Sequence, residues 1–462
     1  MHQLSKGRYR SIVTTIKSRQ RLFSTAPTAL LPLEIVDPHH HFFAPTQDPA
    51  LHATLARIGV TADHLPADHA KDFDVGASRV VVSASVHVEA LPDDGLGEVA
   101  FVERLLAGGG AREAGGGGLA SHGSGGNKGE SVVVSSPPPP LLSHPPPTCT
   151  TVVPLSGVVV PPVRGLVVSC DLSRADVEEE LERLANSSPR VKGVRWICNY
   201  AGDLKDGETA IVSRATWPRV DKDFSSDECF ARGLRALQKQ ASAGAGRGRS
   251  FSFDLQANPR QLCAWADRLA TLPNVPVCVD HLGHPRNLLP LPVSGGDAVE
   301  VDDSVEVDDA VEVGDAVEVD AAELFEWRKG MRRLAKLPQV CVKLSMLSYA
   351  VPGWWRWQQQ QQQGKGLANG HGGIATKSKA TATARSALKR RHDLAKALVL
   401  ETVNLFGAHR CMFASNWPVD GEDGLTVGIM YGHYRSWVAH LPPHQQASLF
   451  RDTASNFYRL SA

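Results

Sequence analysis

Residues 35–43, IVDPHHHFF, place three consecutive histidines directly after an apolar run and an aspartate. The stretch has the form of a buried β-strand with polar residues at its carboxyl end. Successive side chains of a strand point to opposite faces, so His39 and His41 share one direction and His40 takes the other. We expect His39 and His41 to face a common site and His40 to face the packing behind the strand.

The stretch belongs to the first of eight apolar runs that have the length and composition of strands. These runs are residues 33–43, 78–90, 165–172, 191–199, 250–257, 275–282, 340–347 and 411–419. Helical patterns alternate with them and cover residues 176–185, 229–240, 259–272, 322–336, 387–406 and 425–440. Near-continuous Val, Ile and Leu strands that alternate with helices are typical of a parallel (β/α)8 barrel. We therefore predict an α/β protein, a (β/α)8 TIM barrel over residues 34–460.

Three segments lack the composition of a packed core and are predicted to be long polar insertions. Residues 107–162 are rich in Gly and Pro, residues 297–320 repeat a six-residue acidic unit, and residues 358–385 open with six glutamines. The segments follow the second, sixth and seventh predicted strands. Loops of such a barrel tolerate elaboration of this kind.

The formal net charge is zero, but this total conceals two blocks of opposite sign. Residues 1–30 carry six Lys and Arg and no acid, whereas residues 297–320 carry eleven acids and no base. The remainder is only mildly basic, and the sequence has no apolar run long enough to cross a bilayer. We therefore expect the protein to bind a small molecule and neither nucleic acid nor a membrane. Formation of a homo-oligomer is possible on this sequence.

Residues 1–33 have the composition of an organelle-targeting sequence. They are basic, rich in Ser and Thr, and carry apolar residues at helical spacing. This combination is typical of a mitochondrial transit peptide. One alternative is a plastid transit peptide. The other is a disordered basic leader on a cytoplasmic protein.

Polar residues recur at the predicted carboxyl ends of seven of the eight strands. The candidates for chemistry are His39, His41, His87, Glu89, Arg195, Gln256, His281, Lys343 and Asn416, with Asp420 shortly after. One histidine at a strand end is more often structural than functional, but recurrence at one face of a barrel predicts a site. A histidine pair two apart, completed by a third histidine from across the barrel, suits zinc with an open position for water.

The chain resembles the amidohydrolase-related (amidohydrolase 2) family. The resemblance lies in seven collinear motifs: VDPHHHFF, VHVEA, VKGVRWICNY, FSFDLQANPRQL, VPVCVDHLGHP, VCVKLSML and RCMFASNWPVD. Within the family it is similar to the lactonase-like branch of metal-dependent TIM-barrel hydrolases. The resemblance implies a hydrolase that opens a sugar lactone or related cyclic ester. A decarboxylase or amide hydrolase of the same superfamily is one alternative, and a non-catalytic barrel that binds a metabolite is another.

Carried over by position, the resemblance implies that His39, His41 and His281 hold one divalent ion, zinc or manganese. The strand-eight position, where many members have a metal-binding aspartate that also serves as a base, falls on Asn416. An asparagine amide cannot take up a proton at neutral pH. This departure favours chemistry with a weakly held ion or none.

Two versions of the chemistry follow. In the first, water bound to the ion attacks a lactone carbonyl. In the second, histidines and a cation polarise the carbonyl, the cation binds a substrate carboxylate, and Asp420 or Glu89 activates water. The predicted catalytic residues are His39, His41, His281, Asn416, Asp420 and Glu89, and the predicted substrate-binding residues are Arg195, Gln256, Lys343 and His87.

Overall fold

The computed structural model describes residues 32–74, 80–92, 94–108, 160–200, 202, 220–243, 251–289, 318–357 and 379–460. Almost all of the predicted leader, and most of each predicted insertion, lie outside these residues. Residues 379–385 are an exception: we assigned them to the third insertion, but they form the first turns of a helix.

The described residues form one sheet of eight parallel strands, which confirms the predicted barrel. The strands are β1 Leu33–His40, β2 Val80–Val88, β3 Val163–Ser169, β4 Val191–Ile197, β5 Ser252–Gln256, β6 Val277–Val279, β7 Val340–Leu344 and β8 Cys411–Phe413. Each strand pairs with the next in chain order. Two backbone hydrogen bonds join the last strand to the first: Asn416 N–H donates to His39 O at 2.8 Å, and His41 N–H donates to Trp417 O at 2.8 Å.

Helices surround the sheet, and every predicted helix is present. The α-helices are α1 Ala53–Arg57, α2 Pro66–Asp74, α3 Gly95–Leu106, α4 Val177–Ser187, α5 Glu228–Ala243, α6 Leu262–Ala270, α7 Ala321–Leu334, α8 Leu347–Ala350, α9 Lys379–Phe406, α10 Val427–Val438, α11 Pro443–Ala447 and α12 Thr453–Phe457. Short 3-10 turns lie at Pro259–Gln261, His281–Gly283, Ala408–Arg410 and Val419–Gly424, and a π turn at Ser448–Asp452. None of the described helices is long and apolar enough to span a bilayer.

Helix α3 was not predicted, and it changes the position of the first insertion. Its amino end is capped by Asp94, whose carboxylate accepts hydrogen bonds from the backbone N–H groups of Leu96 and Gly97. Residues 109–159 therefore follow a helix and not β2 directly. Because a barrel helix runs antiparallel to its strand, α3 ends at the amino-terminal face of the barrel, opposite the predicted site.

Alternation along the strands separates an outer apolar layer from the interior of the barrel. The lower interior is filled by Val36, Ala84, Val86, Val88, Val167, Cys278, Met412, Ala454, Tyr458 and Leu460. The last three of these belong to α12 and the residues after it, so the carboxyl end of the described chain plugs the barrel. Complete burial of such apolar side chains stabilises the fold by about 1.5–3 kcal/mol each.

An irregularity in β1 determines which histidines face inward. Asp37 pairs with Ser85 but His40 pairs with His87, so β1 carries one extra residue over this interval. Such a bulge reverses the alternation of the strand. Before the bulge, even-numbered Val36 faces the inside of the barrel; beyond the bulge, odd-numbered His39 and His41 face inward, towards the carboxyl end of the barrel.

Candidate active site

A pocket of about 500 Å³ opens at the carboxyl ends of the strands. Six of the predicted site residues line it: His41, Glu89, Arg195, Gln256, His281 and Asn416. They come from six different strands or the residues that follow them. Apolar side chains complete the wall, among them Phe43, Leu55, Met346 and Trp417. The pocket is thus mainly apolar with convergent polar groups at its base, the usual form of a small-molecule site.

At the base of the pocket, His41 and the histidine beneath it, His39, form a hydrogen-bonded chain. Lys343 Nζ lies 3.1 Å from His39 Nδ1, so that nitrogen accepts and the ring carries its proton on Nε2. His39 Nε2 then donates to His41 Nε2 at 3.2 Å. His41 carries its proton on Nδ1 and donates it to Val88 O at 2.8 Å. Burial, reinforced by the positive charge of Arg195, lowers the pKa of His41 to about 3. Burial and the charge of Lys343 also lower the pKa of His39, so both rings are neutral at pH 7.

Lys343 anchors a buried charge cluster below these histidines. Its ammonium lies 2.5 Å from Asp254 Oδ2 and 3.0 Å from Asp280 Oδ1, and all three side chains are fully buried. Tyr458 also donates its hydroxyl to Asp254 Oδ2 at 2.8 Å. Burial alone would lower the pKa of Lys343, but the two carboxylates more than offset this and raise it. Burial likewise opposes ionisation of Asp280, yet Lys343 holds the pKa of Asp280 well below its usual value.

Arg195 connects this cluster to the pocket. Its Nε donates to Glu89 Oε1 at 2.8 Å, and one terminal nitrogen donates to the backbone oxygen of Glu89 at 2.6 Å. The other terminal nitrogen lies 3.3 Å from both Gln256 Oε1 and Asp280 Oδ2. Glu89 also accepts from Leu91 N–H at 2.8 Å. Both carboxylate oxygens of Glu89 are therefore occupied, and it orients Arg195 better than it could activate water.

His281 presents a neutral imidazole to the pocket. Ser345 Oγ lies 3.0 Å from its Nδ1, whereas Nε2 has no hydrogen-bond partner among the described residues. Burial lowers the pKa of His281 to about 3, although Asp280 opposes the shift. His281 begins a run of four residues with positive φ angles, from 54° to 76°. Non-glycine residues rarely adopt this conformation, and such strain concentrates at functional sites.

Asn416 adds an unused amide to the wall of the pocket. It has a φ angle of 51°, a left-handed conformation that asparagine tolerates better than most residues. Its Nδ2 group is buried and has no hydrogen-bond partner among the described residues. A buried amide without a partner is costly, so this N–H group is available for an oxygen of a bound molecule.

Four predicted site residues do not line the pocket. His39 and Lys343 lie beneath it, in the network just described. His87 faces the helices instead: its Nδ1 accepts from Phe42 N–H at 3.1 Å and its Nε2 lies 3.3 Å from Glu98 Oε1. The reason is the alternation of β2, in which Val86 and Val88 occupy the interior. The position of His87 therefore does not support our assignment of substrate contact.

Asp420 also departs from the prediction that it activates water. Its Oδ2 accepts from Met346 N–H and its Oδ1 accepts from the Ser348 hydroxyl, both at 2.6 Å. The carboxylate therefore ties the segment after β8 to the segment after β7. His40 faces outward as expected, with Nε2 3.0 Å from Ser85 Oγ.

Three donor groups of the site have the type and spacing of metal ligands. Nitrogen or oxygen atoms of His39, Asp280 and His281 lie within 4.8 Å of one another, a mixture that suits a divalent ion. The cluster differs from the predicted set by containing Asp280 in place of His41. However, Lys343 contacts both His39 Nδ1 and Asp280 Oδ1, and Arg195 contacts Asp280 Oδ2. Both oxygens of Asp280 already lie against these two cations, and His39 uses both ring nitrogens, so a tightly held ion does not fit without displacing Lys343 or Arg195.

Taken together, the fold and the pocket define a (β/α)8-barrel protein with a polar small-molecule site at the carboxyl ends of its strands. The amidohydrolase family model matches residues 159–460, and the chain belongs to this family. The match begins after β1 and β2, so the histidine stretch lies outside it. Membership in the family supports an enzyme. No curated protein sequence matches the chain.

Solved structures show the same fold. An amidohydrolase from Burkholderia multivorans with bound HEPES is similar at 19% identity with a TM-score of 0.51, covering 92% of this chain and 99% of that one. A second crystal form with bound zinc gives 18% identity, a TM-score of 0.51 and the same coverage of 92% and 99%. A protein from Pseudomonas putida, provisionally assigned as a 2-pyrone-4,6-dicarboxylic acid hydrolase, gives 14% identity, a TM-score of 0.48 and coverage of 94% and 100%. At these identities the likeness concerns the fold.

Proposed function

We propose that the protein is a hydrolase that opens a lactone or related cyclic ester by attack of water. The observation that carries the proposal is the composition of the pocket wall. One neutral imidazole with an unused nitrogen, one guanidinium and one unused amide N–H group face the same pocket. These are a proton acceptor and two hydrogen-bond donors, the groups that ester hydrolysis needs. The similarity of the sequence motifs to the lactonase-like branch supports the same reaction.

His281 acts as the base in this proposal. Water gives a proton to His281 Nε2 while its oxygen bonds to the carbonyl carbon, and the carbonyl oxygen gains the negative charge. Arg195 and the Asn416 amide donate hydrogen bonds to that oxyanion. The ring C–O bond then breaks, and His281 returns its proton to the departing alkoxide. The product is an open-chain hydroxy acid.

Lys343 and Arg195 occupy the positions from which a metal ion would contact the site. Because Lys343 and Arg195 already contact the carboxylate and imidazole atoms that an ion would need, we propose that turnover does not depend on a tightly held metal. Asn416 fits this proposal, since an amide supplies a donor where a carboxylate would attract an ion. Lys343, which lies below the pocket, holds Asp280 and His39 in place and is a positioning residue.

Kinetics of purified protein on a panel of sugar lactones test the proposal. We expect proton release with at least one lactone, a loss of about 100-fold or more in kcat for His281→Gln, and little change for His40→Gln. Equal activity of the His281 variant and the native protein would show that another group is the base.

A further inference from the structure

Part of the pocket lining is a continuous apolar surface. A small hydrophobic cluster, separate from the main core, contributes every one of its members to the pocket: Phe43, Leu55, Val60, Ala90, Leu91 and Ile197. Ile58 also lines the pocket, and its side chain is 42% exposed. Together these seven residues form the apolar wall. Apolar surface inside a concave site is stabilised when an apolar ligand displaces water from it.

The apolar wall adjoins the groups that we propose for the reaction. Ala90 and Leu91 directly follow Glu89, whose carboxylate orients Arg195. Ile197 lies two residues beyond Arg195 at the end of β4, so the two side chains point to the same face of the sheet. A lactone whose carbonyl oxygen contacts Arg195 therefore has the apolar wall within reach of a substituent on its ring.

The backbone of the apolar wall offers little to a hydroxyl group. Four of its N–H groups, those of Phe43, Val60, Ala90 and Leu91, donate to oxygen atoms of the protein at 2.8–3.1 Å. These donors are already used. A hydroxyl group placed against the wall would give up hydrogen bonds to water and would regain none from these four groups, which is unfavourable.

Leu91 occupies its place in the wall at a cost in backbone energy. Its φ angle is 53°, in the left-handed region that glycine and asparagine adopt more readily than leucine. A turn that served only the chain could use either of those residues here. Backbone strain of this kind concentrates at binding sites, and at Leu91 it places an aliphatic side chain in the pocket.

We infer that the apolar wall binds a saturated alkyl chain carried by the lactone ring. Five of its seven side chains are branched aliphatic groups, and the pocket volume of about 500 Å³ is that of a site for a ligand larger than a bare five-membered ring. The assignment rests on the proposed function, because it names the class of lactone. Sugar lactones, which carry hydroxyl groups in place of the chain, should bind more weakly. An aryl substituent is also apolar, and the experiment separates it from an alkyl chain.

Calorimetry with unreactive probes tests the wall without relying on turnover. Cyclopentanone and 3-pentylcyclopentanone keep the ring and the carbonyl group of a lactone but have no ester bond to hydrolyse. Each fully buried methylene group strengthens binding about 4-fold. We therefore expect the pentyl compound to bind the native protein at least about 30-fold more tightly than cyclopentanone, with a more negative heat-capacity change.

A pair of surface variants connects this difference to the wall. Ile58→Asn should weaken binding of the pentyl compound about 10-fold and leave binding of cyclopentanone unchanged. The exposure of Ile58 makes the substitution compatible with folding. Phe325→Asn is the matched control, because Phe325 is a 64% exposed apolar side chain of α7 and does not line the pocket. It should bind both compounds as the native protein does.

Two results would overturn the inference. One is a pentyl compound that binds no more tightly than cyclopentanone, or equally tightly to Ile58→Asn and the native protein. The other is 3-phenylcyclopentanone that binds more tightly than the pentyl compound with the same dependence on Ile58, since this would assign the wall to an aryl substituent.

A second variant distinguishes a binding role of the wall from a structural one. Asparagine accepts the left-handed backbone of Leu91 at a lower cost, which offsets part of the packing that Leu91→Asn loses. We expect this variant to melt near the native temperature and to bind the pentyl compound about 10-fold more weakly. A large fall in the melting temperature with unchanged affinity would assign Leu91 to the fold.

Kinetics then connect the wall to the reaction. γ-Nonalactone carries a pentyl chain on the ring of γ-butyrolactone. Ile58→Asn should raise KM about 10-fold for the first lactone and leave KM for the second unchanged, and an equal effect on both contradicts the assignment. If neither lactone is opened, the proposed function fails for these compounds, while the calorimetry still decides the role of the wall.

Discussion

Replacement of Lys343 by methionine tests the charge cluster that underlies the site. In the native protein one ammonium lies 2.5 Å from Asp254 and 3.0 Å from Asp280, with all three side chains buried. Lys343→Met keeps most of the apolar volume and leaves two carboxylates without their shared cation. Removal of one partner from a buried ion pair costs about 3–5 kcal/mol. For a domain of this size the melting temperature should fall by roughly 6–20 °C.

The assay is thermal unfolding followed by circular dichroism, with a matched surface pair as the control. Lys239 and Glu178 lie 2.8 Å apart but are 71% and 62% exposed, so Lys239→Met should change stability by less than about 1 kcal/mol. Addition of Asp254→Asn to Lys343→Met should recover part of the loss, because one unpaired carboxylate disappears.

The same variant tests whether Lys343 occupies the place of a metal ion. Without the ammonium, the atoms of His39 and Asp280 become available, so zinc should raise the melting temperature of Lys343→Met more than that of the native protein. A melting temperature of Lys343→Met within about 2 °C of the native value, or equal stabilisation of both proteins by zinc, would show that Lys343 does not have this role.

Three further predictions concern separate parts of the chain. Asn416→Ala should lower kcat for a lactone about 100-fold with little change in KM, and Asn416→Asp should raise zinc affinity measured by calorimetry, because it supplies an anionic ligand. Burial lowers the pKa of His433 to about 3, so the unfolded chain binds its proton more readily and stability falls as pH drops from about 6.5 towards 3. His433→Leu should therefore spare about 2 kcal/mol of that loss at pH 5 in urea titrations. Residues 1–34 fused to a fluorescent reporter should enter mitochondria, and exchange of their arginines for glutamate should leave the reporter in the cytosol.

The barrel could be predicted because its strands are buried on both faces. Such strands read as continuous apolar runs, and their order along the chain is their order in the sheet. The strand ends could be predicted only approximately. β6 is the three residues Val277–Val279, within a predicted run of eight, because the chain turns into positive φ angles at His281.

The direction of individual side chains was harder to predict. Alternation assigned His87 and Glu89 to the same face, but β2 ends at Val88, and only Glu89 reaches the pocket. In β1 the inward direction of His39 and His41 was predicted correctly, but it depends on a bulge. Pro38 is the one residue in the sequence that indicates this bulge. Long-range contacts left no local signal at all: the hydrogen bonds of Asp420 join residues 72 and 74 positions apart.

In the proposed reaction, water opens a lactone in this pocket without a tightly held metal. Proton release from a lactone panel, measured by pH-stat before and after extended dialysis against a chelator, with metal content determined on the same samples, tests it most directly. We expect turnover that survives removal of metal to well below one equivalent and that disappears in His281→Gln. Turnover that is lost on chelation and restored by one equivalent of zinc would contradict it.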